Sequence, residues 1–148
     1  MSWEPRGNLT RKLACGGDDC GFCPRYTATF NKNEDNLRDI AILWKPIGWR
    51  KHLDPPDTLV CSGCETFTEP CEHNVRACCI EKKIENCGQC TRYPCDTIEK
   101  AFELTRTNAE TYKHTLSTEE YALFVKAFFS KKHNLDNVNY EFKRASGA

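Results

Sequence analysis

The sequence predicts a mainly α, small and irregular domain, rich in cysteine, stapled by metal and with little sheet. Three observations predict it. Eleven of the 148 residues are cysteine, and they fall in two clusters at metal-ligand spacing. Three stretches carry apolar residues at helical spacing. Two of those stretches follow a capping-box type of start.

In chain order, Met1 to Ala14 reads as an irregular lead-in. Cys15 to Pro24 reads as a tight loop around a ligand, with Gly16, Gly17 and Gly21 free to adopt positive φ. Tyr26 to Asn33 reads as extended. Asn33 to Trp44 is predicted to be a helix. Asn33 is its N-cap, Glu34 and Asp35 suit the positive end of the dipole, and Leu37, Ile40, Ala41 and Trp44 make one apolar stripe. Pro46 and Gly48 end it. Lys51 to Thr58, with Pro55 and Pro56, is a surface loop.

Leu59 to Cys95 is the main cysteine region, with a short helix over Arg76 to Ile84 that stops before Asn86 and Gly88. Asp96-x-x-Glu99 is similar to a capping box, and a long helix to about Thr115 should follow. Ile98, Ala101, Phe102, Thr105, Ala109 and Tyr112 would line its inner face. Ser117-x-x-Glu120 opens the next helix, which is expected to run to about His133 with Tyr121, Phe124, Val125, Phe128 and Phe129 on one face. A short turn joins the two, so they are expected to pack antiparallel as a hairpin over residues 96–133. Asn134 to Ala148 is polar and reads as loop or frayed end. The whole chain, 1–148, reads as one domain, with the cysteine-rich metal-binding region at 15–95.

Formal net charge is zero, so no long-range field argues for nucleic acid or an acidic membrane surface. The polar N-terminus has no apolar signal region, and no apolar run is long enough to span a membrane. The expected location is cytoplasmic. In a reducing compartment dense cysteine means metal or redox chemistry rather than disulfides, and the odd count also argues against a complete disulfide framework.

The first cluster is Cys15-x4-Cys20-x2-Cys23-Pro24. The second is Cys61-x2-Cys64-x6-Cys71-x6-Cys78-Cys79-x7-Cys87-x2-Cys90-x4-Cys95. One Cys-x2-Cys turn aims two sulfurs at one tetrahedral edge of a zinc ion, and two turns close a site. Cys61, Cys64, Cys87 and Cys90 make one possible set. Alternatively, Cys61, Cys64, Cys71 and Cys78 close one site while Cys20, Cys23, Cys87 and Cys90 close another. Ten candidate ligands are too many for one zinc, so about two ions per chain are expected. Cys78 and Cys79 point about 100° apart on a helix, so one of them packs as a small apolar residue. Cys15 and Cys95 are fourth ligands or spares.

Iron–sulfur is the rival cofactor. Cys15-x4-Cys20-x2-Cys23 has the spacing of plant-type [2Fe–2S] ferredoxins, although no Cys-x2-Cys-x2-Cys run exists. A dithiol switch is disfavoured because no βαβ pattern surrounds any pair. His73, two residues after Cys71, is a candidate substitute ligand, although a solvent-exposed or capping role is the commoner one. His52, His114 and His133 have no partner at ligand spacing. Lys126, Lys131, Lys132, Lys143 and Arg144 read as a solvated basic face. No nucleotide loop, serine elbow or His-Glu-x-x-His motif is present, so no catalytic residue is assigned.

The order Cys61-Ser-Gly-Cys64, Cys71, Arg76-Ala-Cys78, Glu81-Lys82-Lys83-Ile84-Glu85-Asn86-Cys87-Gly-Gln-Cys90 and Tyr93-Pro94-Cys95 closely resembles a cysteine-rich prokaryotic family, domain of unknown function 3795. The opening Cys15-Gly16, Asp19-Cys20-x2-Cys23-Pro24-x-Tyr26 is similar to that family's start. The resemblance covers residues from about 15 to 102. It implies zinc binding and no particular reaction. The first motif is one residue longer than the usual form. Cys79 falls where the family has a small residue, which makes it the non-ligand of the adjacent pair. The C-terminal helices lie mostly beyond the matched stretch.

The expected function is therefore a non-enzymatic zinc-binding module for interaction or scaffolding, with a protein partner. The alternatives are an iron–sulfur redox or maturation protein, and a metallochaperone or metal sensor. The expected ligand pool is Cys15, Cys20, Cys23, Cys61, Cys64, Cys71, Cys78, Cys87, Cys90 and Cys95.

Overall fold

The computed structural model describes residues 12–45, 49, 52–53, 55–66, 71 and 73–147. The lead-in up to residue 11 and the helix stop at Pro46 and Gly48 lie outside the described residues. Six α-helices appear among those described: α1 Pro24–Phe30, α2 Glu34–Trp44, α3 Arg76–Lys82, α4 Asp96–Tyr112, α5 Thr118–Phe128 and α6 Lys131–Ala145. Short 3-10 turns stand at Pro56–Leu59, Cys64–Thr66 and Cys87–Gln89. The β structure among the described residues is a single antiparallel bridge between Leu13 and Asp19. The fold class expected from the sequence is thus the one observed: mainly helical, small and cysteine-rich.

The local signals act where the sequence places them. Asn33 caps α2 by accepting from the Asn36 amide at 3.0 Å. Ser117 and Glu120 form a reciprocal capping box at the start of α5, at 3.1 and 3.0 Å. For α4 the cap is Cys95, and Asp96 is already helical. Lys83 stops α3 in the left-handed conformation at φ 57°.

Three expectations are corrected. Of Tyr26 to Asn33, expected to be extended, Tyr26 to Phe30 belong instead to α1. Pro24 sits at the first helical position, where its fixed φ suits the helix and its missing N–H is no loss. Thr27 and Thr29, strand-formers by propensity, turn their hydroxyls back to the carbonyls of Cys23 and Arg25 at 3.0 and 2.8 Å. The second correction is that α5 stops at Phe128 instead of running to His133. The third is that the polar tail is a fifteen-residue helix, α6. Its buried face carries two asparagines. Asn134 donates to Gly17 O and Asn139 to Gly88 O, each at 3.0 Å, while Leu135 between them is fully buried.

The core has three parts. An aromatic one joins Leu37, Ile40 and Trp44 of α2 with Leu59, Leu116 and Phe124. A second gathers Cys15, Cys79 and Cys87 with Val75, Ile98, Phe102 and Leu135. The smallest holds Cys20, Cys23, Tyr26 and Ala127. Helix α6 packs on the Cys87–Gln89 turn because Gly88 lets it approach. A Cβ there would stand 2.7 Å from the Val138 side chain. Gly17, at φ 99°, lets the first cysteine loop meet the same helix; a Cβ there would lie 2.8 Å from Leu135.

Candidate functional site

The cysteines gather in two groups and a fringe. Cys20 and Cys23 lie on the turn that leads into α1, where Cys23 N–H donates to Cys20 O at 3.2 Å. Asp19 holds that turn by accepting from the Gly21 amide at 3.0 Å. Cys61 reaches them from the second cluster. Its amide donates to Thr29 Oγ1 at 3.0 Å, and Arg25 Nε donates to the neighbouring Leu59 O at 2.8 Å. These three thiols feel one another. Burial pushes the Cys20 thiol well above its ordinary range, with Cys23 and Cys61 adding to the rise. Burial also pushes Cys23 up to about 12, opposed by the Tyr26 amide at the start of α1.

The second group is larger. Cys15 and Cys64 hydrogen-bond thiol to thiol; that contact comes first and burial second in raising the Cys64 thiol. Arg76 Nε donates to Cys64 Sγ at 3.5 Å. The amides of Val75 and Arg76, at the mouth of α3, donate to Cys71 Sγ at 3.3 and 3.4 Å. Cys87 N–H donates to Cys15 O at 3.0 Å, and Cys79 Sγ lies 3.9 Å from Cys87 Sγ. Cys15 draws the Cys79 thiol down, but Cys87 and burial outweigh it and carry it up to about 12.

Cys78, Cys90 and Cys95 form the fringe. Cys78 is exposed, whereas its neighbour Cys79 is buried. Cys95 caps α4, half-buried against the second group. Cys90 Sγ accepts from Lys82 Nζ at 3.1 Å and from the Arg92 amide at 3.4 Å. Burial alone would raise this thiol, but the Arg92 amide and the Lys82 ammonium together hold it below its ordinary range. In the reduced protein at neutral pH, Cys90 is expected to react with iodoacetamide before Cys20, Cys23 or Cys64. Lys82→Ala should slow it severalfold, because less of it is then thiolate. Peptide mapping after short exposure checks this; equal labelling of Cys90 and Cys20 would contradict it.

These neighbour relations differ from both pairings the spacing suggests. Within the Cys61-x2-Cys64 turn, the charge of Cys61 acts on Cys20 and Cys23, while Cys64 interacts with Cys15. Cys87 meets Cys79 and Cys15. His73 lines a cavity with Asp18 and Lys131. Sequence reasoning did not single out Arg76 or Lys82 as thiol partners. The signal available was a cation placed beside cysteines on a short helix.

Among the described residues no three Cys, His, Asp or Glu side chains come close enough together to hold a metal ion. The donor set nevertheless suits a soft or borderline cation, being thiols with amide and guanidinium donors aimed at their sulfurs. Buried thiols crowded together are forced towards the neutral form, and a bound cation reverses that balance by deprotonating them.

Fold and site together define a small helical, cysteine-rich domain in which buried cysteines pack into two parts of the core. The chain belongs to the family described as "Protein of unknown function (DUF3795)", which matches residues 12–100. No curated protein and no solved structure matches it. Among the described residues no helix is long and apolar enough to cross a membrane.

Proposed function

We propose that this domain binds zinc through its cysteines and serves as a non-enzymatic interaction or scaffold module. The observation that carries the reading is the convergence of cysteines from distant segments. Cys20 and Cys23 share one part of the core with the charge of Cys61 near enough to be felt, and Cys15, Cys79 and Cys87 share another with Cys64 and Cys71 packed against it. Two ions would be held, one by the Cys20, Cys23 and Cys61 group and one by ligands drawn from the larger group. The ion supplies folding energy where small cores are insufficient. In the larger group, where four thiolates can close the site, no position is left open for substrate, which favours a structural over a hydrolytic role there. Within the larger group, burial favours Cys79 over the exposed Cys78 as a ligand.

Zinc is preferred to an iron–sulfur cluster for a specific reason. A plant-type cluster needs Cys15, Cys20 and Cys23 on one cofactor. Here Cys15 packs in a different part of the core from Cys20 and Cys23.

The test is elemental analysis with an absorption spectrum on protein purified without oxygen. About two zinc per chain and no visible band are expected. Cys64→Ser should lose about one of them, and Cys78→Ser should retain both. Iron with sulfide and a broad charge-transfer band, or a folded protein free of metal, would overturn the proposal.

A further inference from the structure

We propose that a cavity outside the cysteine centres binds a small zwitterion bearing an aromatic ring, of the aromatic amino-acid class. The cavity has a volume of about 460 Å³, within the range of small-molecule pockets. One wall is aromatic, made by Trp49, Tyr112, Phe128 and Phe129. Trp49 is fixed there by donating its indole N–H to Tyr112 Oη at 2.7 Å, with the Phe128 ring 5.2 Å away.

The lining also carries charge. Lys131 is only 6% exposed, and its Nζ lies 2.5 Å from Asp18 Oδ1. It also donates to Phe128 O at 2.8 Å. Asp18 Oδ1 is buried without a directed hydrogen bond, yet the side chain as a whole is 31% exposed. Thr105 and Asn108 of α4 add a hydroxyl and an amide to the lining.

A buried ammonium beside a partly exposed carboxylate presents both signs of charge to a ligand. An aromatic anion would meet Lys131 but also Asp18, and an aromatic cation would meet the reverse. A zwitterion places its carboxylate at Lys131 and its ammonium at Asp18, so that each charge keeps an opposite partner. Its ring then packs against Trp49 and Phe128, where apolar and edge-to-face contacts hold it. The cavity's lining includes no cysteine.

The experiment is calorimetric titration of the purified full chain with L-phenylalanine, L-tyrosine and L-tryptophan. The comparison ligands are phenylpropionate, which lacks the ammonium, and phenethylamine, which lacks the carboxylate. Saturable binding of at least one amino acid is expected, with both comparison ligands at least about tenfold weaker. Asn108→Ala changes a half-buried lining residue, and its fold is checked by circular dichroism; it should weaken binding severalfold. No saturable heat up to about 10 mM would overturn the proposal. So would comparison ligands that bind as tightly as the amino acids, tighter binding of a nucleobase such as adenine, or an affinity unchanged in Asn108→Ala.

Discussion

Phe124→Ala is expected to destabilise the protein by about 3–5 kcal/mol, a large share of the stability of a domain of this size. Phe124 is fully buried, and its ring lies 5.1 Å from Phe128, 5.3 Å from Trp49 and 5.8 Å from Trp44. Truncation would leave a cavity walled by large rings fixed to three different segments. Such rings cannot collapse inward without dragging α2 or α5, so little of the loss is recovered. Guanidinium unfolding followed by tryptophan fluorescence reads this directly. Phe30, which is 49% exposed, is the control, and its truncation should stay within about 1 kcal/mol. Comparable shifts for the two variants would mean that the aromatic centre is not where the stability resides.

Leu135→Ala is expected to destabilise by about 2–5 kcal/mol and to expose the cysteine loops as well. Leu135 is fully buried on α6, against the Cys15, Cys79 and Cys87 part of the core. It stands between Asn134 and Asn139, which satisfy the carbonyls of Gly17 and Gly88 on the two cysteine loops. Tyr93 adds a third tie by donating to Asp136 Oδ1 at 2.7 Å. Helix α6 therefore acts as a strap across both cysteine loops. The Leu135 variant should show faster hydrogen exchange at Gly16, Gly17 and Gly88 than the parent, measured under conditions where both stay folded. A loss of stability confined to α6, with those loop amides unchanged, would refute the strap.

The helix starts were readable because capping is local. Asn33 and Ser117 act on amides three residues away, and no distant partner alters that choice. The inner face of α4 was readable for the same kind of reason. Ile98, Ala101, Phe102 and Thr105 recur at helical spacing and are all buried. Helix α6 was not. Its sequence KKHNLDNVNYEFKRA offers few apolar residues, so periodicity alone reads it as tail. Asparagine is a poor helix former in isolation. Here Asn134 and Asn139 are buried and donate to the loop carbonyls of Gly17 and Gly88, and the bonds they make compensate for the propensity they lack.

By itself the sequence determined the helical class, the family, the cysteine supply and the principal caps, because each depends on composition, ordered motifs or contacts within one turn. Which thiols are neighbours was decided only in the tertiary structure. Cys61 and Cys64 are two residues short of adjacent on the chain, yet they act on different thiols. The Cys61 amide and the Leu59 carbonyl are held by Thr29 and Arg25, whereas Arg76 holds the Cys64 sulfur. The same holds for the cavity, where Asp18 and Lys131 come from opposite ends of the chain and are paired only because Gly17 lets α6 close on the first loop. Spacing along a chain limits what one turn can do; contacts across the fold depend on how helices pack, and packing is settled by every buried side chain at once.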